Sequence, residues 1–260
     1  MTDAPPPRAM ILAAGLGTRL RPLTDTTPKP LVEVAGHPLI AYGIGLLRSH
    51  GIEDVVVNLH HLGAQVERAL GDGSGLGVRI HYSHEETLLD TGGGIRHAAP
   101  LFERIGRERG DPGGPIVIAN SDVISEIPVA EVVRVHRERG ALVTMVLRSD
   151  PRASGYGLFG IDGLGRIRRF LGTGDPDPSL REFMFGSLHV IDPRVIERMP
   201  EGRAFGTMRD LYPTLFREGA RFEGFVYDGP WWTADDAADL AATSEALRRG
   251  LPSYMRPAAS

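Results

Sequence analysis

Three short stretches of this chain bring together residue types that handle phosphate. Residues 10–31 read MILAAGLGTRLRPLTDTTPKPL. Met10-Ile11-Leu12-Ala13-Ala14 is an apolar run of strand length, and Gly15-Leu16-Gly17-Thr18 follows at once. Two glycines let the backbone turn sharply and approach a ligand closely, with N–H groups turned out toward phosphate oxygens. Gly-x-Gly alone also occurs in ordinary turns. The cations after it sharpen the reading: Arg19, Arg21, then Lys29 between Pro28 and Pro30. Lys29 is the only lysine among 29 lysines and arginines. One ammonium kept in an arginine-rich chain, on a backbone stiffened by two prolines, points to a task that a planar guanidinium does not fill. Chance survival in a solvated loop is the alternative.

The second stretch, Ile116-Val117-Ile118-Ala119-Asn120-Ser121-Asp122, is an apolar strand that delivers a carboxylate at its end. Mg²⁺ takes one or two protein carboxylates and completes its octahedron with phosphate and water; an aspartate so placed also serves as a turn or helix cap. The third runs from Tyr82 to Ile95, YSHEETLLDTGGGI. Consecutive glycines are costly to order and make sense where a flat group lies against bare backbone. Glu85, with Glu86 beside it, is placed to accept a hydrogen bond from an N–H of such a group, or else both glutamates only solvate a loop. His60, His61 and His84 have no partners at metal-ligand spacing.

The run Gly15-Leu16-Gly17-Thr18-Arg19-Leu20-Arg21-Pro22-Leu23-Thr24, followed by Pro28-Lys29-Pro30-Leu31, resembles the G-x-G-T-R-L-x-P-L-T…P-K-P-L signature of the sugar-1-phosphate nucleotidylyltransferases, which make NDP-sugars. The resemblance implies that Leu12, Ala13, Ala14, Gly15, Gly17 and Thr18 hold a nucleotide, that Arg19 grips departing pyrophosphate, and that Lys29 contacts the reacting phosphates. It places Asp122 on Mg²⁺, and Glu85, Gly92 and Gly93 against the base, with UTP or GTP as the nucleotide. L-x-T-G-G-G-I is similar to the N-acetylmuramate-1-phosphate uridylyltransferase branch and to the heptose- or mannose-1-phosphate guanylyltransferases. In the second half, Tyr156-Gly157 resembles a Y-G segment that touches the sugar, and Phe185-Gly186-Ser187-Leu188 resembles a wall of the sugar pocket. The acidic-Lys-Pro motif expected shortly after Tyr156-Gly157 is replaced by Arg168-Arg169-Phe170, which leaves Arg169 as the stand-in for the sugar phosphate.

The chain also departs from the family near its end. Relatives carry W-x-D-V-G-T, with the aspartate as second metal ligand; here Gly229-Pro230-Trp231-Trp232-Thr233-Ala234-Asp235-Asp236 aligns Thr233 with it. Asp235 or Asp236 then reaches the metal by another route, or Asp122 suffices, or the protein is a catalytically impaired, nucleotide-sugar-binding regulator of the same fold. The plain alternative makes Asp235, Asp236 and Asp239 first-turn residues favoured at a helix N-terminus. A glycosyltransferase of the related nucleotide-sugar fold fits less well, since its Asp-x-Asp motif is Asn120-Ser121-Asp122 here.

These residues need a scaffold, and alternating strands and helices supply one. Leu31–Val34 is expected as a strand, 38–49 as a helix, 55–59 as a buried strand, 63–70 as a helix and 78–82 as a strand. A helix over 95–102, a polar loop over 103–115, a helix over 129–139 and a strand over 141–147 follow. This alternation predicts a three-layer α/β/α fold with a mixed, mostly parallel sheet, ligands sitting beyond the strand carboxyl ends. A hairpin over 155–170, a strand over 183–190 and helices over 193–199, 210–218 and 237–249 complete the second half. The expected organisation is a tail (1–8), one domain (9–250, with nucleotide and sugar halves meeting near 125) and a loose end (251–260) with no appended repeat domain.

At 260 residues, 42% hydrophobic and 24% charged, the chain can bury a full core. A net charge of −4 argues against general nucleic-acid binding. The absence of cysteine excludes disulfides and thiolate zinc sites. Residues 1–8 lack the pattern of a signal peptide, and no apolar stretch approaches the ~20 residues of a membrane span. A cytoplasmic enzyme, monomeric or homodimeric, using Mg²⁺, an NTP and a sugar 1-phosphate, is the resulting expectation.

Overall fold

The computed structural model describes residues 5–151 and 157–256. A ten-stranded mixed sheet runs through the protein, ordered Arg79–His84, Asp54–Leu59, Arg8–Leu12, Ile116–Asn120 and Arg181–Ile191. Beyond Arg181–Ile191 it divides, to Val143–Arg148 and Phe222–Val226 on one branch and to Phe159–Ile161, Ile167–Phe170 and Thr173–Gly174 on the other. The first four strands are parallel, and Arg181–Ile191 runs against Ile116–Asn120.

Strand side chains alternate between faces, so the parallel strands feed two cores. Met10, Val56 and Ile118 meet Ile95, Phe102 and Ile105 of the helices Asp90–His97 and Ala99–Glu108 on one face. Ile11, Val57 and Val117 meet the helices Leu39–Ser49, Gly63–Leu70 and Val129–Arg139 on the other. The three-layer α/β/α arrangement is therefore present, parallel through its first half. No helix among the described residues is long and apolar enough to cross a membrane.

Several elements differ in extent from the sequence expectation. Leu31 closes a 3-10 turn over Lys29–Leu31, so only Glu33–Val34 is strand, paired with His37–Pro38. The glycine triplet lies inside the helix Asp90–His97 instead of before it. The polar 103–108 segment is helical because Phe102 and Ile105 give it a buried stripe. The helices expected at 193–199 and 210–218 shrink to Arg194–Glu197 and to a π-turn over Thr207–Leu211 continued by Tyr212–Arg217.

Chain order sets the position of the site. Arg8–Leu12 is central, with Asp54–Leu59 on one side and Ile116–Asn120 on the other. Crevices form at such a switch point, beyond the strand carboxyl ends.

Candidate functional site

The turn after Leu12 and the turn after Asn120 lie side by side, joined by Ser121 N–H to the Leu12 carbonyl (3.3 Å). Gly17 takes φ +63°, and a Cβ there would meet Thr24 and Lys29 at about 3 Å; only glycine suits both demands. Gly15 is different: no atom lies within 4 Å of the place its Cβ would occupy, so the loop presents bare backbone to open space. Ala13 N–H donates to Asn58 Oδ1 (2.8 Å), and Asn58 Nδ2 donates to Glu85 Oε1 (2.7 Å). A buried polar chain across the sheet thus fixes the start of the loop.

Asp122 and Asp235 are brought together by a two-stranded ribbon. Trp231–Thr233 runs antiparallel to Val123–Ser125 with Thr233 opposite Val123, and Ala234 N–H donates to the Asp122 carbonyl (3.1 Å). That register delivers Asp235, not Thr233, beside Asp122. Lys29 Nζ donates to Asp122 Oδ2 (2.7 Å) and lies 3.5 Å from Asp235 Oδ1, which also accepts from Arg19 Nη2 (3.0 Å). Lys29 is nearly buried (side chain 11% exposed), whereas Arg19 is largely free to swing (61%). Burial, and then the charge of Asp122, push the Asp235 carboxyl above its ordinary range, against the pull of Lys29 and Arg19.

The other aspartates of that segment have separate work. Asp236 caps the helix Ala237–Arg249, its Oδ1 accepting from Asp239 N–H (2.9 Å). The Thr233 hydroxyl donates to Asp239 Oδ2 (2.7 Å), away from Lys29.

A cavity of about 550 Å³ opens over these groups, lined by Leu12 to Gly15, Gly17, Thr18, Arg19, Lys29, Asp122 and Asp235, with Asn58, Leu88, Asp90, Thr91, Asn120, Ser121 and Ala204. Two facing carboxylates at its floor are hard oxygen donors of the kind Mg²⁺ takes. Among the described residues no group of three or more His, Cys, Asp or Glu side chains could hold a metal alone. The pair suits an ion that draws its remaining ligands from phosphate and water.

Other residues singled out from the sequence lie elsewhere. Glu85 is buried and accepts from Asn58 and from Leu89 N–H (3.0 Å), so its carboxylate positions Asn58 and does not line the cavity. Gly92 and Gly93 donate their N–H groups to the Phe205 carbonyl (2.9 and 3.2 Å) and do not line this cavity; Gly93, with Glu85 and Glu86, lines a second one of about 660 Å³. A Cβ on Gly92 would sit 2.2 Å from the Phe205 ring, and one on Gly94 2.6 Å from Glu85 Oε1; tight packing accounts for the triplet. Arg169 is held in a turn, donating to the carbonyls of Asp175 and Asp177 and to Glu182 (2.7–2.9 Å). Gly157 and Gly186 do not reach the cavity; Gly186 accepts from the Trp231 indole (3.2 Å). Tyr156 lies outside the described residues.

Asn58, Leu88, Asp90, Thr91 and Ala204 are the lining residues that sequence reasoning passed over. Asn58 had a signal, a polar residue inside the apolar run Val55-Val56-Val57-Asn58-Leu59. Ala204 had none.

The nucleotidyl transferase family model matches residues 8–232. The chain is 34% identical over 246 residues to the mannose-1-phosphate guanylyltransferase of Mycobacterium tuberculosis, covering 94% of this chain and 65% of that one. It is 30% identical over 239 residues to the UTP–glucose-1-phosphate uridylyltransferase of Synechocystis, covering 86% and 59%. Over 121 residues it is 50% identical to the N-acetylmuramate alpha-1-phosphate uridylyltransferase of Neisseria meningitidis, covering 46% and 48%. The chain thus spans between 48% and 65% of the length of these curated relatives. Among solved structures, HddC from Yersinia pseudotuberculosis superposes with a TM-score of 0.74 at 19% identity, covering 92% of this chain and 99% of that one. A putative glucose-1-phosphate thymidylyltransferase from Bacillus anthracis reaches 0.78 at 19% identity, with 94% and 96% covered. With the family model matched over residues 8–232, across the glycine loop and the Asp122 turn, the chain belongs to the nucleotidyl transferases.

Proposed function

We propose that the protein joins an NTP, UTP or GTP by preference, to a sugar 1-phosphate, giving an NDP-sugar and pyrophosphate in a Mg²⁺-dependent reaction. The carrying observation is Lys29, held between Asp122 and Asp235 under a glycine loop with open space over Gly15. The relatives' names, all sugar-1-phosphate uridylyl- or guanylyltransferases, agree with this chemistry.

In the proposed reaction an oxygen of the sugar phosphate attacks the α-phosphorus, and the bond from that phosphorus to the bridging oxygen breaks in line. A phosphate monoester is largely dianionic at neutral pH, with its second pKa near ~6, so no general base is needed. Gly15–Thr18 cradle the triphosphate through backbone N–H groups. Lys29 leaves the carboxylates for the reacting phosphate, and exposed Arg19 follows the departing pyrophosphate. Asp122 and Asp235 would hold Mg²⁺, which when bound adds neutralisation of charge on the phosphate oxygens. Catalysis is positioning and electrostatics.

In this reading residues 9–125 supply the nucleotide half and 126–250 the sugar half of one cytoplasmic enzyme, monomeric or homodimeric. The regulator reading draws on Thr233 in place of a metal aspartate; Asp235, 3.5 Å from Lys29, supports the enzyme reading over it. Mixing the protein with Mg²⁺ and each pairing of four NTPs and a set of sugar 1-phosphates, with pyrophosphate release as readout, tests the proposal. Release with at least one pair is expected; silence with every pair overturns it.

A further inference from the structure

Asp90 lines the same cavity but belongs to none of the ion pairs at its phosphate end. It opens the helix Asp90–His97 with φ +62°, in the left-handed region. Aspartate tolerates that conformation better than most residues. Its Oδ1 accepts from Thr91 N–H (2.6 Å) and its Oδ2 from Arg209 Nη2 (3.0 Å). Arg209 sits on the π-turn Thr207–Leu211 and is clamped from behind by Asp210 (2.8 and 3.1 Å), whose Oδ2 also accepts from Gly206 N–H (2.7 Å). Every partner of this carboxylate therefore fixes its direction. A carboxylate has about four acceptor sites, and two are used here.

A carboxylate facing a triphosphate without an intervening cation is repelled. Among the described residues, the cation paired with Asp90 is Arg209, on the side of the segment that carries Ala204, and apolar Leu88 lines the wall next to it. The part of a substrate that suits this corner is uncharged and carries an O–H or N–H donor. We propose that Asp90, held by Arg209, is a specificity-determining residue that accepts a hydrogen bond from an uncharged donor of the substrate, either a sugar hydroxyl or amide or a nucleobase N–H. This inference rests on the nucleotidylyltransferase reading above and adds the group that selects the substrate.

The test uses the full chain with Asp90→Gly, which suits a positive φ and keeps the fold, and Asp90→Asn, which keeps the size. Calorimetric Kd for each NTP forms one arm; KM and Kd for each sugar 1-phosphate and its single deoxy analogues form the other. Both variants are expected to weaken one substrate at least tenfold and leave the other within twofold. In the sugar arm, the deoxy analogue lacking the matching hydroxyl loses the difference between wild type and variant. Arg209→Ala weakens the same substrate less, and Arg209→Lys restores part of the loss. If every Kd and KM in both arms stays within twofold, the Asp90 proposal falls while the reaction stands. If the wild type releases no pyrophosphate with any pair, the reaction reading falls, and equal Kd values for wild type and variant then overturn the Asp90 proposal as well.

Discussion

In the proposed reaction the ammonium of Lys29 and a divalent cation would compete for the same two carboxylates. With Lys29 and Arg19 against Asp122 and Asp235 the local charge is balanced, so a divalent ion arriving alone adds two uncompensated charges. A triphosphate arriving with it restores the balance. Mn²⁺ alone is therefore expected to bind the wild type weakly, and Lys29→Met to bind it at least tenfold more tightly while losing several orders of magnitude in turnover. Electron paramagnetic resonance of free Mn²⁺ reads the first effect without any reaction, and equal affinities would refute the competition. The neighbouring aspartates separate cleanly. Asp235→Asn should cost at least a hundredfold in pyrophosphate release, whereas Asp236→Ala should remove only a helix cap, about 1 kcal/mol of stability. Thr233→Asp places a second carboxylate against Asp239 and should destabilise without rescuing Asp235→Asn; a rescue would return the metal position to residue 233.

The helix Asp90–His97 shows how one element serves a loop through intermediate side chains. Gly94 leaves room for Glu85, Glu85 holds Asn58, and Asn58 holds Ala13 at the root of the glycine loop. Glu85→Ala leaves buried Asn58 with an unsatisfied amide, costing about 1–3 kcal/mol. It should also raise the NTP Kd severalfold, with Glu85→Gln recovering part of both. Urea unfolding and calorimetry check this, and an NTP Kd unchanged in Glu85→Ala would show that the chain of bonds ends at Asn58. The same helix marks the limit of what the sequence discloses. The glycine loop, Lys29 and Asp122 were legible because each is a local pattern: a turn, a cation between prolines, a carboxylate ending an apolar strand. The contacts of Glu85 and the glycine triplet are not legible in the same way, because they are made with Asn58 on the adjacent strand and with Phe205, more than a hundred residues on. The alternating strands and helices disclosed the α/β/α layers through their periodicity. The division of labour among Asp235, Asp236 and Asp239 depends on a one-residue register in the Trp231–Thr233 ribbon, which side-chain types do not encode.

Across the whole molecule, the two ends of the sheet and its interior respond differently to acid. At the end away from the cavity, burial disfavours the charged form of Asp54, but hydrogen bonds from Arg79, His81 and Arg109 overcome it and hold the carboxyl well below its usual range. Stability from such a group is complete above the unfolded carboxylate pKa, near ~4, and is lost only below it. Two interior histidines act earlier. Burial lowers His189 to about 3 and His136 to about 4, the latter against the opposing charge of Asp192. His189 stands edge to face with Tyr212, centroids 5.7 Å apart, and neither of its ring nitrogens has a hydrogen-bond partner among the described residues. Both rings stay neutral in the folded protein, while in the unfolded chain they take up protons below about 6.5. Their contribution is thus full above that pH and declines as the pH falls toward about 4 for His136 and about 3 for His189, by on the order of 1 kcal/mol per histidine for each pH unit. Urea midpoints should be flat from pH 8 to about 6.5 and then drop steadily toward pH 5, before carboxylates such as Asp54 begin to titrate. His189→Leu removes one of the contributing histidines and fills the apolar surroundings, so its midpoint should stay near wild type at pH 8 and fall with a visibly shallower slope between pH 6.5 and 5. Parallel slopes for the two proteins would assign the acid sensitivity to other groups.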